Sequence, residues 1–173
     1  MSKIKNPVRT LTLLRHAKSS WKNPALTDIE RPLHKRGRRD ADAMAMRIVE
    51  HGATLTTVFA SPARRCRETL ARMLVALPAQ DVSITFDQAF YTFERDALIA
   101  ALKNLDDDIQ DVSIVGHNPA LEDTITWLTG ESLTNFPTTA CAQLTLTLPR
   151  WRKLHKGCAE LMWLLTPEKP NTL

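Results

Sequence analysis

The chain is poor in cysteine, and what it has does not pair. Cys66, Cys141 and Cys158 are odd in number, widely spaced and without a Cys-x-x-Cys spacing, which argues against a disulfide framework and against a zinc site. Reduced thiols in a cytoplasmic protein are the simpler account. The first seven residues, Met-Ser-Lys-Ile-Lys-Asn-Pro, lack the apolar run of a secretory leader. Long hydrophobic stretches are missing as well. A run such as Leu161–Leu165 falls far short of the roughly 20 apolar residues that span a bilayer. Repeats, linkers and low-complexity segments are absent from the sequence, and no carboxylate pattern suggests a metal site. These absences lead us to expect a soluble, cytoplasmic protein with no membrane partner, no metal and no cofactor.

A length of 173 residues suits a single domain covering the whole chain. Residues 1–9 and 167–173 read as flexible tails. Hydrophobic residues at 43% and charged residues at 24% are ordinary globular values, so a full core is possible without staples. The net charge of +4 favours anionic partners or simply a solvated basic surface. Nucleic acid is a poor fit. The basic stretches Arg64, Arg65, Arg67 and Arg150–Lys156 bring one aromatic, Trp151, which is too little for a stacking platform.

Apolar patterns of strand and helix type alternate from end to end. Leu11–Leu14 reads as a strand that stops at Arg15-His16. The polar, Pro-containing stretch Lys18–Leu33 reads as a surface loop. Ala41, Met44, Ala45, Ile48 and Val49 form an amphipathic stripe, predicting a helix over Lys35–Glu50 with Gly52 as its stop. Thr57–Ala60, Val82–Phe86, Val112–Val115, Gln143–Leu148 and Ala159–Leu165 read as strands. Further helices lie around Leu70–Leu77, Leu98–Leu105 and Leu121–Leu128, and the basic segment Pro149–Gly157 fits a hairpin connection. The alternation predicts an α/β fold: three α/β/α layers around a mostly parallel sheet.

Ligands of such sheets bind outside the carboxyl ends of the strands. Three expected strands end in polar groups: Arg15-His16, then Ser61 leading into Arg64, Arg65 and Arg67, then Gly116-His117-Asn118. Parallel strands would bring two histidines and several arginines to one edge. Phosphoryl transfer needs that composition, a nucleophile with positive charge around the phosphoryl oxygens. Guanidinium grips phosphate in a fork, and neutral imidazole is nucleophilic near pH 7.

These segments resemble the histidine phosphatase superfamily. Leu13-Leu14-Arg15-His16-Ala17 resembles its Arg-His-Gly signature, Ser61-Pro62-Ala63-Arg64-Arg65 the segment with the second phosphate-binding arginine, and Val115-Gly116-His117-Asn118-Pro119 the segment with the second histidine. Arg65 matches better than Arg64 by its spacing from the serine. The short chain and the stretch Arg31-Pro32-Leu33…Arg36-Gly37 resemble the SixA-type phosphohistidine phosphatases, and the resemblance covers roughly residues 10–148. It implies a phosphoglycerate-mutase-like fold and a metal-independent phosphatase acting on phosphohistidine of a phosphorylated partner protein. In that scheme His16 is the nucleophile, and Arg15, Arg65 and His117, as imidazolium, hold the phosphoryl oxygens. Lys18 and Ser19 are candidates for further phosphate donors, with a solvated loop as the alternative. Trp21 is a pocket wall or a loop anchor, while His34, His51 and His155 read as structural or exposed.

The sequence departs from the family in two places. Ala17 stands for the usual glycine, which requires a negative φ. Asn118 stands where some branches carry an acidic proton donor. Glu94 lies in the region where others carry a glutamate, but reads equally well as part of a helix start. Without a strong acid the site would favour phosphoramidates, whose leaving imidazole is protonated from solvent, over alkyl phosphates. The alternatives are a phosphatase for a small phosphorylated metabolite and a non-catalytic phosphoprotein-binding module.

Overall fold

A computed structural model describes residues 7–78 and 81–167. In chain order the regular elements are β1 (Val8–Arg15), α1 (Lys35–Glu50), β2 (Thr57–Ala60), α2 (Arg64–Ala76), β3 (Ser83–Phe86), α3 (Arg95–Lys103), β4 (Asp111–Gly116), α4 (Ala120–Thr129), β5 (Cys141–Thr147) and β6 (Ala159–Leu165). The strands form one sheet in the order β3-β2-β4-β1-β5-β6. β1 to β4 pair in parallel, and β5 runs antiparallel to both β1 and β6. The helical crossovers allow the parallel pairs, and the short β5–β6 connection imposes the antiparallel one.

Alternation along β1 divides the core in two. Leu11 and Leu13 face α3 and α4, together with Val112 and Ile114 of β4. Leu14 faces α1 and α2, together with Val58, Ala60 and Val115. Helices thus cover both faces of a three-layer α/β fold, as the alternating pattern implied. The stripe of α1 buries Ala41, Met44, Ala45 and Ile48 against the sheet. Gly52 follows this helix with φ +71° and Gly130 ends α4 with φ +76°, left-handed positions that favour glycine.

Two expectations need correction. The strand assigned to Leu11–Leu14 starts at Val8, so residues 8 and 9 are not tail. Arg9 is almost fully buried; its Nη1 donates to the carbonyls of Asp107 (2.9 Å) and Ile109 (2.8 Å), and its Nη2 to that of Pro149 (3.0 Å). The charge is tolerated because main-chain oxygens surround it. The stretch Lys18–Leu33 is more ordered than a plain loop, with a Ser19–Leu33 bridge and a single 3-10 turn at Asp28–Glu30. Trp151 is wholly buried, its indole N–H donating to the Ile109 carbonyl at 2.9 Å, so it offers no face for stacking. Of the expected tails, residues 1–6 and 168–173 lie outside the described residues. Among the described residues no helix is long and apolar enough to cross a membrane.

Candidate active site

The carboxyl ends of β1, β2 and β4 converge because the three strands are neighbours in register, Arg15 beside Gly116 and Ala60 beside Val115. Just past these ends the main chain stays tied. The His16 amide donates to the Gly116 carbonyl at 3.1 Å, and the Ser61 amide to the Val115 carbonyl at 2.9 Å. Arg65 enters from the first turn of α2. A pocket of about 500 Å³ opens here, lined among others by Arg15, His16, Lys18, Asp28, Arg31 and Arg65.

Hydrogen bonds fix the tautomers of both histidines. Arg65 Nε lies 3.2 Å from His16 Nε2, and a guanidinium only donates, so Nε2 carries a lone pair. The ring proton therefore sits on Nδ1, which donates to the Ala17 carbonyl at 2.8 Å. Arg65 Nη2 likewise lies 3.2 Å from His117 Nδ1, so His117 donates from Nε2 to Ser61 Oγ at 2.8 Å. Burial, joined by the charges of Arg65, Arg15 and Arg31, pushes His16 down to about 3. Burial, then His16 and Arg65, push His117 down to about 3. Both rings are neutral at pH 7. For His117 this corrects the expected imidazolium: next to a guanidinium and in a dry environment, a second cation is unfavourable.

Asp28 completes the cluster, and the sequence did not single it out. Its Oδ2 accepts from Arg65 Nη2 at 2.9 Å and from the Tyr91 hydroxyl at 2.7 Å, and its Oδ1 accepts from Arg31 Nη1 at 3.0 Å. Partial burial pushes this carboxyl up, but the bonds from Tyr91 and Arg65 and the charge of Arg65 outweigh that and bring it down to about 2. Arg15 donates from Nη1 to the Phe136 carbonyl at 2.9 Å, and its buried Nε has no protein partner. Among the described residues no group of three or more His, Cys, Asp or Glu is arranged to hold a metal ion.

Comparison with known proteins finds relatives in sequence and in fold. Residues 11–90 match the model of the histidine phosphatase superfamily (branch 1). A candidate phosphohistidine phosphatase SixA from Nakamurella multipartitia is 26% identical; it superposes with a TM-score of 0.79 over 94% of this chain and 98% of its own. A second SixA candidate, from Agrobacterium tumefaciens, is also 26% identical, with a TM-score of 0.77 over 92% of this chain and 99% of its own. The chain resembles the histidine phosphatase superfamily and, within it, the SixA type. An uncharacterized chloroplastic protein of Arabidopsis thaliana is 34% identical over 133 residues, 72% of this chain, and this chain spans 61% of that relative's length.

In this SixA-like chain Arg15, His16 and Arg65 meet at the pocket as expected. His117 lies just beneath it, 1% exposed, against Arg65. Lys18 and Ser19 both line the pocket. Ser19 is already bonded to Arg31, while the Lys18 main chain is held by α1: its carbonyl accepts from the His34 amide at 2.7 Å. His34 also caps α1, accepting from the Arg36 amide at Nδ1. Trp21 is both wall and anchor, lining the pocket with Arg31 stacked 3.2 Å over its ring. Ala17 is not in the left-handed region, where Thr139 is the described non-glycine residue. Glu94 is exposed at the N-cap of α3, outside the residues that line the pocket. Asp28, Arg31 and Tyr91 were missed. One signal was available: Thr27-x-x-Glu30 is a capping-box pattern, and Glu30 Oε2 accepts from the Thr27 amide at 3.0 Å. It marks a fixed turn that holds Asp28 in place.

Proposed function

We propose that this chain is a cytoplasmic, metal-independent phosphatase that removes the phosphoryl group of phosphohistidine on a partner protein, through a phosphoenzyme on His16. One observation carries the reading. The pocket offers a neutral imidazole lone pair at His16 Nε2, and the only lining carboxyl among the described residues, Asp28, is held near 2 and cannot act as a proton donor at neutral pH.

The steps follow from those groups. The Nε2 lone pair attacks phosphorus in line, and the bond from phosphorus to the leaving nitrogen breaks with its electron pair going to that nitrogen. The leaving imidazole takes its proton from solvent. His16 then carries the phosphoryl group on Nε2 and a proton on Nδ1, and the Ala17 carbonyl stabilises the positive charge of that ring. Arg15 and Arg65 supply donors to the phosphoryl oxygens, and Arg15 Nε is a buried donor that one of them satisfies. His117 orients Arg65 from below. Water then attacks phosphorus, the P–Nε2 bond breaks and its electron pair restores the lone pair of His16. An alkyl phosphate fares worse, since its alkoxide needs an enzymic acid worth about 10²–10⁴-fold.

The test is phosphate release in excess chelator from a phosphohistidine-bearing protein and from p-nitrophenyl phosphate. The expected result is a preference for phosphohistidine. Preference for the aryl phosphate would favour a small-metabolite phosphatase instead, and no release from either would leave a binding module.

A further inference from the structure

We infer that Asp28 is a built-in competitor for phosphate: its carboxylate holds the Nη2 nitrogen of Arg65 that a phosphoryl oxygen would take, and so weakens the hold of the pocket on inorganic phosphate. The inference rests on reading the pocket as a phosphoryl site. Every nitrogen of Arg65 has a partner within the protein. Nε donates to His16, Nη1 to the Asp28 main-chain carbonyl at 2.6 Å, and Nη2 to Asp28 Oδ2 and His117 Nδ1. One residue thus takes both terminal nitrogens, the part of a guanidinium best suited to a bidentate anion.

Carboxylate and phosphoryl oxygens are acceptors of the same kind, and two anions within a few ångströms repel. Asp28 cannot easily swing aside, because Arg31 and Tyr91 hold it and Arg31 is itself clamped on Trp21. Among the described residues it is the single acidic one in a lining with five basic ones, Arg15, Lys18, Arg31, Arg36 and Arg65. Without it this lining would retain the dianionic product. With it, phosphate leaves more readily after hydrolysis, and release of product limits many enzymes.

A purely positioning role for Asp28 predicts the opposite sign. Losing a residue that merely aims Arg65 weakens phosphate binding, whereas losing a competitor strengthens it. The experiment is calorimetric titration of the intact chain with inorganic phosphate, comparing wild type, Asp28→Asn, Asp28→Ser and Tyr91→Phe, with the thermal midpoint of each recorded. We expect Kd for phosphate to fall roughly tenfold in Asp28→Asn, and in the same direction in Asp28→Ser. In Tyr91→Phe, where the charge stays, Kd should change by less than about threefold. Either folded Asp28 variant with an unchanged or raised Kd would overturn the inference alone. Absence of phosphate binding in wild type and variants alike would overturn the reading of the pocket with it.

Discussion

Arg65 Nε donates a hydrogen bond to His16 Nε2 across 3.2 Å, so the proposed phosphate-binding arginine is tied directly to the proposed nucleophile. The contact keeps the His16 lone pair on Nε2. On the proposed mechanism Arg65 would turn toward a phosphoryl oxygen as the P–N bond forms, so that binding of the phosphoryl group and release of the nucleophile would be one movement of one side chain.

Replacing Arg65 with Lys separates charge from shape. An ammonium keeps the charge, but it cannot reach His16, Asp28 and His117 at once as the planar fork does. We expect Arg65→Lys to lower kcat/KM by at least about 10²-fold while the fold is retained. Steady-state kinetics with circular dichroism checks this, and near wild-type turnover would show that charge alone suffices.

Much of this arrangement was legible in the sequence, and the gaps have physical causes. The stripe Ala41–Ile48 gave α1 with its observed ends, because an amphipathic helix on a sheet must repeat near 3.6. The polar ends of Leu11–Leu14, Thr57–Ala60 and Val112–Val115 gave the meeting point, because parallel strands put their carboxyl ends on one edge. The start of β1 escaped because Arg9 breaks the apolar run, although surrounding carbonyls make it a core residue. Asp28 escaped because its neighbours in the chain, Arg31 and the Thr27–Glu30 turn, account for only part of its setting. Its partners Arg65 and Tyr91 lie 37 and 63 residues away. The neutrality of His117 is likewise a property of packing.

Acid should destabilise the fold earlier than carboxylates alone would dictate. His16 and His117 titrate near 3 when folded and about 6.5 when unfolded. Between those values the unfolded chain binds protons that the folded chain excludes, so stability rises with pH from 3 to 6.5 and is lost as pH falls through that window. Asp28, depressed to about 2, adds stability present above its unfolded value and lost as pH falls toward 2. The thermal midpoint of wild type should drop between pH 7 and 4, with a shallower drop in His117→Asn. Equal slopes would contradict the buried, neutral assignment.

Gly37 sets how closely α1 approaches the pocket loop. A Cβ there would lie 2.2 Å from the Lys18 carbonyl oxygen and 2.8 Å from its nitrogen, both main-chain atoms. Gly37→Ala should cost about 1–3 kcal/mol, as overpacking does, and raise KM by shifting Lys18 and Ser19. Thermal melts and kinetics test this together. An unaltered midpoint would mean that the loop yields freely and that its position is not fixed by α1.

The central claim is that His16 Nε2 carries the phosphoryl group. The most direct measurement is rapid mixing with a radiolabelled phosphohistidine protein, an alkaline quench that preserves phosphoramidates, and mapping of the label by mass spectrometry, with His16→Ala alongside. An acid-labile label is expected on the peptide holding His16, formed before phosphate is released. In His16→Ala the label should be absent and turnover reduced by at least about 10³-fold. Label on another residue, or turnover preserved in His16→Ala, would contradict it.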